Sequence, residues 1–363
     1  MAMVDKLLIE CFRGIRNLKI DNLNHVNLIV GDNNCGKTSV LEALQLFRNS
    51  GLLGNVYRIA RQRESIFGMN SNSIYENFIC MFPHDGSDLE IRVSGICNDK
   101  IISYEISGTQ NKVLLDVKEL DRFTVREYDL SGDLETDVFD GTISLKYGET
   151  VKEEQMNMNR YSGISGTPAS ESEAFKIIYV APFEHLKGSV ISQIIKNDGY
   201  KEICLKALQL FDADIEDMMI FKSDMGNRPV EYLKHKRLGN MPLSTYGDGI
   251  KKVLVLSNAI ARAAGGILLI DEIETAIHKK YYDDIFRFIV KACRAFDVQI
   301  FITTHSLEAI DGLLATQDYE EQKTEDSVSV VTLKRERNNT YSRVLPGREV
   351  ALNREAFGFE VRL

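Results

Sequence analysis

The sequence predicts an α/β fold: a mixed sheet around a phosphate-binding loop, with an inserted β-rich lobe and a short helical arm. Three observations predict it. The stretch GDNNCGKT, Gly31 to Thr38, fits G-x-x-x-x-G-K-[ST]. It follows a β-branched run, HVNLIV, and precedes apolar residues at helical spacing, Val40, Leu41, Leu44 and Phe47. Two later apolar runs, GGILLIDEIE and VQIFITTHS, end in polar residues, where ligands of open α/β sheets bind. Between these ends, DLEIRVSGICNDKIISYEISG alternates apolar and polar residues between turn signals, the pattern of antiparallel strands.

Taken in order, DKLLIECFRGIRNLKI reads as strand, turn at Arg13-Gly14, strand. Residues 1–50 are expected to form the first part of the nucleotide domain and 51–174 the β-rich insertion, closing with the loop SGISGTPASESE. Residues 175–240 hold a returning strand, KIIYVAPF, and one or two helices as an arm or lid. Residues 241–363 complete the domain with a helix over GIKKVLVLSNAIARA and an amphipathic helix over KKYYDDIFRFIVKACRAF. Two strands follow around Asn338-Asn339.

A chain of 363 residues with 27% charged and 44% hydrophobic residues is long enough for one large domain with an insertion, or for two. Its net charge of -9 argues against a broadly basic surface for nucleic acid, leaving only a local groove. The densest basic run, LKHKR at 233–237, reads as a solvated face. Six scattered cysteines without a C-x-x-C pair fit a reducing compartment. With no leader pattern and no long apolar run, a cytoplasmic protein without membrane spans is expected.

In the loop, Gly31 and Gly36 let the backbone approach phosphate oxygens, and the N–H groups of residues 33–38 with the following helix end attract them. The expected nucleotide-binding set is Gly31, Asn33, Asn34, Gly36, Lys37, Thr38 and Ser39, with Lys37 on the β- and γ-phosphates and Thr38 on Mg²⁺. Cys35 reads as a small residue facing away from phosphate. Asp271 is expected to hold Mg²⁺ and Glu272 to polarise the attacking water. LSTYGDG, with Ser244, Gly247, Asp248 and Gly249, offers a hydroxyl and a helix N-terminus to a phosphate. His305, at a strand end, can hydrogen-bond the γ-phosphate and sense its loss.

The order of loop, L-S-x-x-G-x-G, acid pair and histidine resembles the ABC-type ATPases, and the details resemble their soluble RecF, SMC and OLD-like branch. FRGIRNLKI is similar to the opening strands of that branch, DEIETAIH to its D-E-x-E-x-x-x-H stretch and TTHS to its switch histidine. More than half of the chain separates Lys37 from Ser244, unlike the compact spacing of transporter motors. The resemblance covers residues 1–50 and 240–310.

It implies an ATPase that dimerises head to tail around two ATP molecules with Mg²⁺. Ser244, Gly247, Asp248 and Gly249 would act in trans, Lys37, Thr38, Asp271, Glu272 and His305 in cis, and Glu274 would begin the stretch crossing the dimer seam. Gln45 and Gln193 are weak candidates for the family's Mg²⁺-sensing glutamine, and Arg61 and Arg63 for its nucleotide-contacting arginine. The short stretch after His305 suffices to finish a sheet, not to build the TOPRIM nuclease of OLD-like enzymes. The resemblance thus extends to two-component antiphage systems such as PARIS or Septu, in which a separate effector, a nuclease, is controlled. The alternative it leaves open is a RecF-like repair ATPase that clamps DNA.

Overall fold

The structure, a computed structural model, describes residues 3–48, 51–63, 73–83, 89–116, 133–161, 176–187, 190–222, 229–317, 327–337 and 339–362. Its centre is a six-stranded mixed sheet in the order β15-β14-β3-β13-β12-β8. Strands β3 (Val26–Gly31), β8 (Ile177–Val180), β12 (Ile267–Ile270), β13 (Gln299–Thr303) and β14 (Val328–Glu336) run parallel, and β15 (Asn339–Pro346) returns antiparallel at the edge. Parallel strands are covered on both faces, so these read as nearly unbroken aliphatic runs.

The side-chain period of two divides each run between two cores. Leu28, Val30, Leu268, Ile270, Ile300 and Ile302 face helices α6 (Asp248–Arg262), α7 (Tyr282–Ala295) and α8 (Leu307–Leu314). Ile29, Leu269, Phe301 and Val331 face α1 (Lys37–Gln45) and an antiparallel sheet beyond it.

That second sheet has the order β2-β1-β4-β5-β6-β7. The hairpin β1 (Val4–Phe12) and β2 (Ile15–Ile20) turns at Arg13-Gly14 as expected, with Arg13 in the left-handed region. β4 (Leu89–Cys97) then pairs with β1, and β5 (Lys100–Asp116), β6 (Asp133–Tyr147) and β7 (Thr150–Asn159) continue the sheet. The antiparallel strands expected within 51–174 are therefore present, but residue 50 is no break in packing. Side chains of β1 and β2 share one core with those of β4 to β7, α2 (Leu52–Arg61) and α3 (Ile74–Ile79). The stretch SGISGTPASESE, residues 162–173, lies outside the described residues.

Residues 175–240 bring β8 back to the central sheet and then build a small unit. Helices α4 (Ile191–Ile194) and α5 (Asp198–Gln209) pack against a three-stranded sheet, β9 (Ile215–Lys222), β10 (Pro229–His235) and β11 (Gly239–Pro242). The arm is thus a helix pair backed by a sheet, and it leans on α6 through Leu254. β15 is followed by α9 (Gly347–Phe357). Among the described residues no helix is long and apolar enough to cross a membrane.

Candidate nucleotide-binding site

Because β3, β12 and β13 are parallel and in register, their carboxyl ends lie together. The phosphate loop, the acid pair and the histidine all leave from that edge. Gly31 has a φ of 141°, and a Cβ there would sit 2.2 Å from the Leu333 carbonyl oxygen, so the loop's first position excludes any side chain. Asn34 and Gly36 are also left-handed, which turns successive N–H groups to one side. Cys35 is buried in the core below the loop, and burial raises its thiol pKa.

Lys37 is buried, and its ammonium donates to the carbonyls of Gly31 at 2.8 Å and Asp32 at 2.7 Å. It therefore spans the loop mouth while burial lowers its pKa. Asn33 and Asn34 are exposed at the loop's tip. Ser39 instead faces sideways, accepting from the Arg63 guanidinium at 2.9 Å.

Asp271 is the point of convergence. Three hydroxyls donate to its carboxylate: Thr303 at 2.6 Å, Thr38 at 3.0 Å and Tyr179 at 3.1 Å. They come from β13, α1 and β8, so the carboxylate ties three elements together. The Thr303 oxygen also accepts the Glu272 backbone N–H at 2.9 Å, which fixes the next residue. Glu272 has a φ of 48°, a left-handed conformation that costs a non-glycine residue energy and turns its side chain out of the strand line. Its carboxylate lies 3.8 Å from His305 Nε2, with both side chains about two-fifths open to solvent (40% and 37%). The His305 main chain is held on both sides: its N–H donates to Glu274 at 2.7 Å and its carbonyl accepts from Arg362 at 3.0 Å.

Several residues of the site were given no role in the sequence reading. Tyr179, Thr303 and Arg362 reach the site from separate segments. Arg63, one of the two arginines considered, bridges Ser39 and the fully buried Glu42, which also pairs with Arg13 at 2.7 Å. Neither glutamine candidate lies at Asp271. Gln45 accepts from Arg58 at 2.7 Å, and Gln193 accepts from Asn258 at 3.4 Å. Gln62 is the glutamine near the centre. Its amide is sealed from solvent and approaches the Tyr179 hydroxyl without a well-formed hydrogen bond.

Ser244 lies elsewhere on the chain's surface. It sits in the exposed turn Leu243–Thr245 and lines a cleft of about 470 Å³ with His185, Val190, Glu231 and Lys251. Gly247 caps α6, and Asp248 pairs with Lys251 at 3.0 Å, which lowers its pKa. The LKHKR run is only partly a solvated face, because Leu233 and His235 are buried; Lys234 meets Glu216 at 3.0 Å, His235 meets Asp212 at 3.2 Å and Arg237 meets Asp214 at 2.6 Å. His235 Nδ1 accepts backbone N–H groups, so Nε2 carries the proton toward Asp212 and is not free for a metal.

The fold and the site define a P-loop ATPase, an α/β enzyme with antiparallel sheets attached to a mixed one. Residues 26–311 match the family described as "AAA domain, putative AbiEii toxin, Type IV TA system", and the chain belongs to that family. It is similar to the ATP/GTP phosphatase of Helicobacter pylori, with 23% identity over 352 residues, 88% of this chain and 90% of that protein. Among solved structures it is similar to the Pyrococcus furiosus Smc head domain with an extended coiled coil, bound to the C-terminal domain of ScpA. That match has a TM-score of 0.50 at 10% identity over 99% of this chain and 100% of that one. A second SmcHead, bound to the C-winged helix domain of ScpA, gives 0.49 at 11% identity over 96% and 99%.

Proposed function

We propose that this chain is an ATP-driven switch that closes as a dimer around two ATP molecules and controls a separate effector, a nuclease, in bacterial antiphage defence. The observation that supports the nucleotide part most is the contact of Thr38, the residue after Lys37, with Asp271 at 3.0 Å. A hydroxyl and a carboxylate are hard oxygen donors, and two of them leave room for phosphate oxygens and water, the ligand set Mg²⁺ prefers. When bound, Mg²⁺ supplies charge neutralisation on the β- and γ-phosphates. Lys37 then exchanges the Gly31 and Asp32 carbonyls for phosphate oxygens, and the N–H groups of residues 33–38 hold the rest. Glu272 polarises the attacking water, and His305, 3.8 Å from it, bears on the γ-phosphate.

Dimer closure is supported by exposure: Ser244, Gly247 and Asp248 are open to solvent, and the cleft that Ser244 lines includes no phosphate-loop residue. In a second copy they would meet the γ-phosphate held by the first. The defence role draws on the family description, which names a putative toxin system.

The test is the Glu272→Gln protein. It should bind ATP, hydrolyse it very slowly and accumulate as a closed dimer that retains its effector in a pull-down. Normal turnover by that protein would remove Glu272 as the base. An ATP-trapped dimer bound to DNA alone would favour the repair clamp.

A further inference from the structure

His305 sits where two kinds of backbone pairing meet. Strand β13 stops at Thr303, and the Ser306 hydroxyl caps α8 by accepting the Ala309 N–H at 3.1 Å. The Thr304 N–H still reaches the Ile29 carbonyl at 3.4 Å, and the Ser306 carbonyl already accepts the Ile310 N–H at 3.1 Å. The main chain of His305 lies between them, in neither the sheet nor the helix, so its N–H and C=O need partners from elsewhere. Glu274 takes the N–H at 2.7 Å, and Arg362 serves the carbonyl at 3.0 Å.

Arg362 is itself held in place. The Glu360 carboxylate grips it as a fork, Oε1 on Nε at 2.8 Å and Oε2 on Nη2 at 2.9 Å, which leaves Nη1 aimed at the His305 carbonyl. The segment that carries this pair is anchored as well. Gly358, with a φ of 63°, closes α9 in the left-handed conformation. Val361 is fully buried, and its carbonyl accepts the Thr332 hydroxyl of β14 at 2.8 Å. Arg354 donates to the Phe359 carbonyl at 2.7 Å and to Asp311 of α8 at 2.8 Å. Residues 358–362 therefore clasp both His305 and the helix that follows it.

We infer that Arg362 is a positioning residue for His305, fixing the peptide from which the imidazole projects toward Glu272. The inference rests on the reading above of His305 as the group that bears on the γ-phosphate. With its N–H tied to Glu274 and its carbonyl to Arg362, the histidine can turn only about its own side-chain bonds, and the ring stays 3.8 Å from the Glu272 carboxylate. Without the Arg362 donor the carbonyl turns to water, and the peptide can rotate and carry the ring away.

The experiment measures ATP binding and single-turnover hydrolysis by the full chain with Arg362→Met, His305→Ala and the two combined. Met keeps much of the side chain's length and removes its donors. Arg362→Met should bind ATP within about twofold of wild type and hydrolyse it about tenfold to a hundredfold more slowly, because a displaced catalytic group loses rate and not affinity. Its unfolding midpoint should hold, since the Arg362–Glu360 pair is a third open to solvent and exposed pairs add little stability. The double variant should be no slower than His305→Ala, because a missing imidazole has nothing left to position.

Hydrolysis by Arg362→Met within about twofold of wild type would overturn the inference. So would a double variant slower than His305→Ala by the factor that Arg362→Met costs alone, or a loss that comes with weaker ATP binding or a lowered midpoint. If Arg362→Met fails to fold, Glu360→Ala, which leaves the guanidinium unaimed, must show the slow hydrolysis at unchanged ATP affinity. His305→Ala at the wild-type rate removes the histidine's role and this inference with it, whereas a slow His305→Ala beside a normal Arg362→Met removes Arg362 alone.

Discussion

Thr303 serves two residues with one hydroxyl, donating to Asp271 and accepting from the Glu272 backbone. Valine has the same shape and neither function. Thr303→Val should leave a buried N–H and a carboxylate oxygen short of partners, a loss of about 1–3 kcal/mol. Because the orphaned groups are those of the proposed metal ligand and base, single-turnover hydrolysis should slow by about tenfold or more, with Thr303→Ser restoring it. A Val variant as fast as wild type would remove the hydroxyl from the mechanism. Glu42 is a matter of stability. It is fully buried between Arg13, whose side chain is 10% exposed, and Arg63. Glu42→Ala should destabilise the chain by about 3–5 kcal/mol in urea unfolding, because Arg13 is left buried and unpaired. The residues legible in the sequence were those whose spacing carries meaning, Lys37, Thr38, Asp271 and Glu272. Tyr179 and Arg362 were illegible because each arrives from a distant segment and acts only through tertiary placement, and Thr303, though inside TTHS, gave no sign that its hydroxyl would serve Asp271.

At the scale of elements, the central strands were legible because burial on both faces writes itself as an unbroken aliphatic run. Helix α2 was not. Its buried Leu52, Val56, Ile59 and Ala60 have helical spacing, but they fall in a stretch assigned as a whole to the β-rich insertion. The joining of β1 to β4 was also hidden, since strand alternation says which face is buried and not which strand is the neighbour. That second sheet contains a close approach. Gly108 and Gly141 pair across β5 and β6, and a Cβ on Gly108 would lie 2.5 Å from both the Asp140 carbonyl oxygen and the Phe139 ring. Gly108→Val must push the ring or the backbone away and should cost about 1–3 kcal/mol, read as a lower unfolding midpoint. An unchanged midpoint would mean that the strands separate there freely.

For the whole molecule, the decisive question is whether the exposed signature completes a site in a second copy. Ser244→Arg fills the turn with a bulky cation but touches no loop residue, so it should bind ATP and fail to hydrolyse it. Lys37→Ala should fail at binding, because backbone amides alone then face the phosphates. Each protein alone is inactive for a different reason. In an equal mixture of subunits that pair at random, half of the dimers are mixed. Each mixed dimer holds one composite site with an intact loop from the first variant and an intact signature from the second. Two-fold symmetry puts the other site's two defects together. The mixture should therefore recover about a quarter of wild-type hydrolysis at most, rising from zero as either component is titrated into the other. A chain that works as a monomer gives no recovery at any ratio, because no copy's loop meets another copy's signature. Recovery well above a quarter would require that one intact site turns over faster when the other is dead, a coupling between the two sites of the dimer.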